Sequence, residues 1–340
     1  MASENTKRFF ENYLGKKSSE FFPLAQSGSA RINFRAKADN REYIVTYNEN
    51  IRENESFFYY SEIFSRLHLN TPKIIAISDD RKIYIQEFLG EDTLSEILSR
   101  EGLSQRVRFL VKQVLEKLFE LQIRTINQID FTKTFEYEIY DELPVTHDLY
   151  YFKNFIADVL ELEYHKSTLL REFKEIAQLI ESLEPKGLMI RDFQARNIMV
   201  DEKDNVSFID YQSATKGSLM YDVISFLFQA KANFPEDFKD EMLEFYIRQF
   251  EDEKRQLQLR NSVKPIQLMR FLQVLGAYGF RGLIQRKPHF ISSIEQGTQN
   301  ISRLAQSWKG MENYPELVKV IRQLSLEETK SKIDTIITNR

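Results

Sequence analysis

The sequence predicts an α+β fold in two lobes, a small β-rich lobe over residues 1–89 and a mainly helical lobe over residues 90–340. Three observations carry that expectation. Strand-like apolar runs concentrate before residue 90, a helical period dominates after Thr93, and one short hairpin pattern near residue 200 interrupts the helical half. A chain of 340 residues can bury a sizeable core, and 42% apolar content with 27 Phe and 16 Tyr predicts an aromatic-rich interior.

Residues 3–15 place Phe9, Phe10, Tyr13 and Leu14 at helical spacing, which predicts a short amphipathic helix. Ser27, Gly28 and Ser29 come next to a strand-like region, SGSARINFRA followed by REYIVTY, and predict a turn whose backbone N–H groups can face phosphates. Residues 53–68 carry Phe57, Phe58, Tyr60, Ile63, Phe64 and Leu67 at helical intervals. Pro72 then opens the strand KIIAIS, a charged turn follows at 79–82, and IYIQEFLG gives another strand ending near Gly90. Backbone groups from Glu87 to Leu89 are placed to hydrogen-bond an adenine. In the second half the helical period runs over 94–98, 107–126, 149–162, 168–183, 219–228, 238–250 and 263–283. The stretch RQFEDEKRQLQLR reads as a solvated charged face.

Composition removes several function classes. A net charge of −4 with interleaved signs leaves no basic footprint for nucleic acid. There is no Cys, hence no disulfide framework, thiolate nucleophile or Cys-based zinc site, and the four histidines show no ligand spacing. The first residues lack the apolar run of a leader, and nothing approaches the length of a membrane span. The expectation is a cytoplasmic protein with a small-molecule substrate and neither nucleic-acid nor membrane partners, its oligomeric state left open with a monomer favoured.

The chemistry concentrates in residues 189–210, MIRDFQARNIMVDEKDNVSFID. Moving a γ-phosphoryl group requires a carboxylate beside the acceptor hydroxyl and oxygen ligands for the divalent metal that offsets triphosphate charge. Asp192 suits the base, flanked by Arg191 and Arg196. Asn197, five residues on, and Asp210, after a second apolar run, suit the metal. The runs 198–200 and 206–209 with the polar turn 201–205 predict a hairpin that returns Asp210 toward Asn197. Asp and Asn are common wherever chains turn, so the joint spacing carries the reading.

These residues, IRDFQARNIM, FIDYQ and KGSLMYDVISFLF, resemble the aminoglycoside phosphotransferase and choline kinase-like family. The resemblance spans most of the chain and implies a protein-kinase-like fold and an ATP- and Mg²⁺-dependent phosphotransferase with an alcohol group as acceptor. Its nearest likeness is to bacterial sugar kinases that phosphorylate the anomeric hydroxyl of N-acetylmuramate and N-acetylglucosamine. It implies Asp192 as base, Asn197 and Asp210 as Mg²⁺ ligands, and a structural role for Asp222. Gln212 stands where Gly is usual, and either faces the sugar or braces the loop. The strand IVTY places Thr46 or Tyr47 where a lysine is usual, so phosphate anchoring must come from elsewhere, with Arg31, Arg35 and the backbone at Ser27, Gly28 and Ser29 as candidates. Asp148, Tyr150, Tyr151, Arg281 and Lys287 are candidates for the sugar pocket. An aminoglycoside or choline-like acceptor, or a weakly active nucleotide-binding regulator, stands as the alternative.

Overall fold

The computed structural model describes residues 2–25 and 30–338, so the turn at Ser27, Gly28 and Ser29 lies outside the described residues. The chain packs as two compact units. The first comprises residues 1–138 and 187–215, the second residues 139–186 and 216–340. Packing therefore groups the hairpin near residue 200 with the N-terminal sheet.

In the first unit, helix α1 (Ala2–Leu14) precedes five strands: β1 (Glu20–Pro23), β2 (Ile32–Ala38), β3 (Arg41–Tyr47), β4 (Ile74–Ile77) and β5 (Ile83–Glu87). Their order is β1-β2-β3-β5-β4, with antiparallel neighbours throughout. Asp39 and Asn40, at φ 49° and 59°, make the tight β2–β3 turn, as two short polar residues tolerating the left-handed region can. Strand alternation then sorts the two faces. Phe34, Ala36, Val45, Ile83 and Ile85 pack with Phe10 of α1. On the opposite face the Thr46 hydroxyl donates to Asn33 Oδ1 at 2.8 Å and Gln86 Nε2 donates to Thr46 Oγ1 at 3.4 Å.

Helix α2 (Ile51–Arg66) is started by Asn50, whose side chain accepts the Glu53 N–H. Strand β6 (Asp92–Thr93) leads into α3 (Leu94–Glu101) through a capping box between Thr93 and Glu96, and Ser104 caps α4 (Gln105–Arg124). The chain returns through β7 (Lys186–Met189) to β8 (Ile198–Val200) and β9 (Val206–Phe208), and leaves through β10 (Thr215–Ser218). β6, β8 and β9 form a three-stranded sheet in that order, the predicted hairpin being β8–β9. Gly90, at φ 121°, makes this closure possible. A Cβ there would stand 2.7 Å from the Val200 carbonyl oxygen, so the close approach of the segment after β5 to the hairpin admits only glycine.

The second unit is helical: α5 (Glu142–Phe152), α6 (Lys166–Ser182), α7 (Met220–Leu227), α8 (Glu236–Ile247), α9 (Glu253–Tyr278), α10 (Pro288–Ser307), α11 (Pro315–Leu324) and α12 (Glu327–Thr338). Two starts differ from the sequence expectation by more than two residues. Helix α5 begins at Glu142 rather than at 149 because Asp141 caps it, its side chain accepting the Leu143 N–H. Helix α9 begins inside the charged stretch, where Asp252 accepts the Lys254 N–H and Leu259 is buried. Polar composition hid that first half because only one narrow stripe of it faces the core. π-helical segments follow α5 and α9, at Lys153–Ala157 and Gly279–Ile284, and a side chain at Gly279 would overlap the Phe155 carbonyl.

Candidate active site

The site belongs to the first unit. Its base is the β8–β9 hairpin, whose turn is held twice. Asp201 accepts the N–H groups of Lys203 and Asn205, each at 2.8 Å. From α4, Gln113 donates to the Asp204 carbonyl at 3.0 Å and accepts the Val206 N–H at 2.7 Å. The hairpin therefore presents fixed ends to the chemistry.

At the entering end, the Asp192 N–H donates to the Ile190 carbonyl at 2.9 Å around Arg191, which sits at φ 71°. This is a γ-turn with its central residue in the left-handed region, a conformation that costs about 1–3 kcal/mol and persists where the surroundings over-determine it. Those surroundings include an ion pair from Arg191 Nη1 to Glu136 at 2.7 Å and the Tyr137 ring beneath the guanidinium. The half-buried Asp192 carboxylate has no hydrogen-bond partner among the described residues. Arg196, four residues on, is exposed.

At the leaving end, Asp210 is also left-handed, at φ 66°. Asn197 ties the two ends together. Its Nδ2 donates to the Asp192 carbonyl at 2.8 Å and to Asp210 Oδ2 at 3.2 Å. Asp210 Oδ1 accepts Gln212 Nε2 at 3.0 Å and pairs with Arg31 Nη2. Gln212 Oε1 in turn accepts Arg31 Nη1 at 3.1 Å, so this amide braces the site. Burial pushes the Asp210 carboxyl up, but the Arg31 charge, the Gln212 and Arg31 hydrogen bonds and the charge of Arg196 outweigh it and hold it below the ordinary aspartate range. For Arg31 burial lowers the pKa, and Asp210, Tyr84 and Glu53 reverse this and keep it charged.

Helix α2 clamps the segment after Asp210. Ser56 donates to the Gln212 carbonyl at 2.7 Å, Tyr60 to the Ala214 carbonyl at 2.8 Å, and Ser61 shares a 2.7 Å hydrogen bond with the Tyr211 hydroxyl. Ser56 and Tyr60 are four positions apart, as are Phe57 and Ser61, so each pair shares a side of the helix. The Phe57 and Tyr211 rings stack at 4.9 Å. In the first turn of the helix, Glu53 Oε1 lies 3.3 Å from Arg31 Nε. Glu53 was not legible as a site residue: an acid in a first helical turn is ordinary capping chemistry, and its partner is fixed by docking.

The remaining expected residues fall in several places. Arg35 pairs with Glu42 at 2.6 Å and with Glu91, and lies 4.7 Å over the Phe88 ring, beside the segment after β5. Glu87 ends β5, where its carboxylate accepts the Lys73 N–H at 3.1 Å, and Leu89 is half-buried two residues on. Asp148 and Arg281 belong to the second unit. There the Tyr140 hydroxyl donates to the buried Asp148 carboxylate at 2.7 Å. Tyr151, Phe155 and Phe280 form a half-buried aromatic cluster with ring centres 4.6–5.7 Å apart.

The donor set suits a hard divalent cation. Among the described residues no group of three or more His, Cys, Asp and Glu is arranged for a metal. Asp210 and Asn197 are instead a pair of oxygen-bearing side chains in mutual contact, the sparse arrangement Mg²⁺ uses when water and phosphate oxygens complete its shell.

A sheet-bearing half, a helical half and this Asp–Asn–Asp hairpin define a kinase-like phosphotransferase with the protein-kinase-like fold. Residues 23–260 match the model of the phosphotransferase enzyme family, and the chain belongs to that family. Solved structures agree on the fold. A choline kinase from Streptococcus pneumoniae superposes with a TM-score of 0.62 at 13% identity, over 88% of this chain and 98% of that one. A thermostable aminoglycoside phosphotransferase variant gives 0.61 at 15%, over 89% and 99%. An ethanolamine kinase from Plasmodium vivax gives 0.58 at 16%, over 84% and 82%. No curated protein matches the chain. No helix among the described residues is long and apolar enough to cross a membrane.

Proposed function

We propose that this phosphotransferase is an ATP-dependent small-molecule kinase that moves the γ-phosphoryl group to a hydroxyl of an amino sugar, the anomeric hydroxyl being the acceptor position of choice. The observation that carries the reading is the Asn197 side chain, bonded at once to the Asp192 carbonyl and the Asp210 carboxylate, while among the described residues nothing hydrogen-bonds the Asp192 carboxylate. Residues 1–89 would serve the nucleotide and residues 90–340 catalysis and acceptor binding.

Asp192 orients the acceptor hydroxyl and takes its proton late in transfer. An anomeric hydroxyl is more acidic than an ordinary alcohol, which lowers the demand on the base. Asn197 and Asp210 would hold Mg²⁺, which supplies charge neutralisation at the phosphates. The backbone at Glu87 and Leu89 would bind adenine, Arg31 the phosphates, and exposed Arg196 the transferring group. Arg35 would cover the base edge of the site, and Arg191 positions the loop through Glu136. A nucleotide as co-substrate is supported by the aminoglycoside phosphotransferase solved with ADP or AMP-PNP and hygromycin B.

For the acceptor, the chemistry around Asp148 favours a sugar. The half-buried rings of Tyr151, Phe155 and Phe280, with Arg281 near Tyr151, suit the apolar face and hydroxyls of a pyranose, and the buried Asp148 would support that wall through Tyr140. A polycationic aminoglycoside would call for a denser set of carboxylates. The test is ATP consumption against amino sugars, hexoses, choline, homoserine and aminoglycosides, with Asp192→Asn as control. An amino sugar should be turned over by the wild type alone; turnover of choline or an aminoglycoside instead would replace the acceptor, and equal turnover by the variant would displace Asp192 as base.

A further inference from the structure

Strand β3 offers Thr46 where a phosphate-binding lysine is usual, and its hydroxyl is committed to Asn33. The cation hydrogen-bonded to Asp210 is instead Arg31, the residue just before β2. Arg31 holds Asp210 Oδ1 through Nη2, Gln212 through Nη1 and Glu53 through Nε. All three nitrogens are engaged, two by the strand end of the hairpin and one by helix α2.

We infer that Arg31 and the divalent cation exchange on Asp210, with Glu53 retaining the displaced guanidinium beside the nucleotide phosphates. The inference rests on the proposed assignment of Asp210 as a metal ligand. Asp210 Oδ2 accepts Asn197 and Oδ1 carries the guanidinium, so a hard cation that needs a carboxylate oxygen meets a full positive charge already in place. The Nη groups that leave Asp210 and Gln212 are the planar pair that matches phosphate oxygens. The Nε contact to Glu53 survives such a rotation and keeps the exchange local. Metal without nucleotide therefore meets electrostatic repulsion, while metal arriving with a triphosphate brings the group that takes Arg31 away.

The test compares two binding measurements. Mn²⁺ binding to nucleotide-free protein is followed by electron paramagnetic resonance, and binding of Mn²⁺·AMP-PNP by calorimetry. Arg31→Ala should bind Mn²⁺ alone about tenfold more tightly and Mn²⁺·AMP-PNP about tenfold more weakly. Arg31→Lys, which keeps the charge but loses the planar pair, should leave Mn²⁺ affinity near wild type with weakened nucleotide binding, and serves if the alanine variant does not fold. Glu53→Gln should weaken Mn²⁺·AMP-PNP binding. A purely structural Arg31 would weaken both ligands together, and unchanged or weaker Mn²⁺ affinity in Arg31→Ala overturns the exchange. Asp210→Asn separates the two levels: if it leaves Mn²⁺ binding intact, the metal assignment itself falls, whereas loss of Mn²⁺ there without a gain in Arg31→Ala removes the exchange alone.

Discussion

Asp192 and Asp210 stand at the two ends of one hairpin, and their carboxylates are treated in opposite ways. The first has no hydrogen-bond partner among the described residues, while the second is held by Arg31, Gln212 and Asn197. Both ends use left-handed backbone, at Arg191 and Asp210, so geometric strain is common to them and the difference lies in charge. A carboxylate without such partners is open to the hydroxyl of an acceptor. A saturated one is kept anionic and ready to exchange one cation for another.

The contrast breaks most sharply in paired variants. Asp192→Asn should lower kcat by about 10²–10⁴-fold, the range for a positioned base, with an unchanged Tm. Asp210→Asn should also lower turnover, and in addition cost about 1–3 kcal/mol of stability by leaving Arg31 with only one of its two anions, Glu53. Equal loss of Tm in both would erase the distinction. Turnover assays with urea unfolding of each variant decide it.

The hairpin's fixed position can be tested at Gly90. Gly90→Ala should cost about 1–3 kcal/mol, because the φ and the Val200 carbonyl both oppose a side chain. Gly102→Ala, also at positive φ but with nothing within 4 Å, should cost less. Equal unfolding midpoints for the two would show that the close approach to β8 does not constrain the segment.

The smallest effect is in pH. Asp210 is held below the ordinary aspartate value of about 3.9, so the folded chain binds this proton less readily than the unfolded chain. Its stabilising contribution is fully present above that value and is lost as pH falls through the lowered pKa. Wild type should lose stability more steeply below about pH 4 than Asp210→Asn; parallel curves would remove Asp210 as the source.

Legibility followed the range of the interactions. β3 spans the REYIVTY run end to end, and the β8–β9 hairpin lies where two apolar runs flank a polar turn. β1, the short strand EFFP with an exposed or half-buried pattern, carries no such signal. Helix α9 was half concealed by charge, since a capped helix needs few apolar residues where only a stripe is buried. Asp192, Asn197 and Asp210 were recognisable by spacing. The bracing by Gln212 depends on where Arg31 arrives, and in the sequence Arg31 is one of several arginines.

The sequence by itself determined the hairpin, its three polar residues and the family, because turn chemistry and strand alternation act over a few neighbouring residues and leave a fixed spacing in the chain. Tertiary structure alone decided that a cation 179 residues away pairs with Asp210 and that Glu53 secures it. Those contacts depend on the register of β2 against β3 and on the docking of α2 against residues 211–214, quantities that no local pattern encodes.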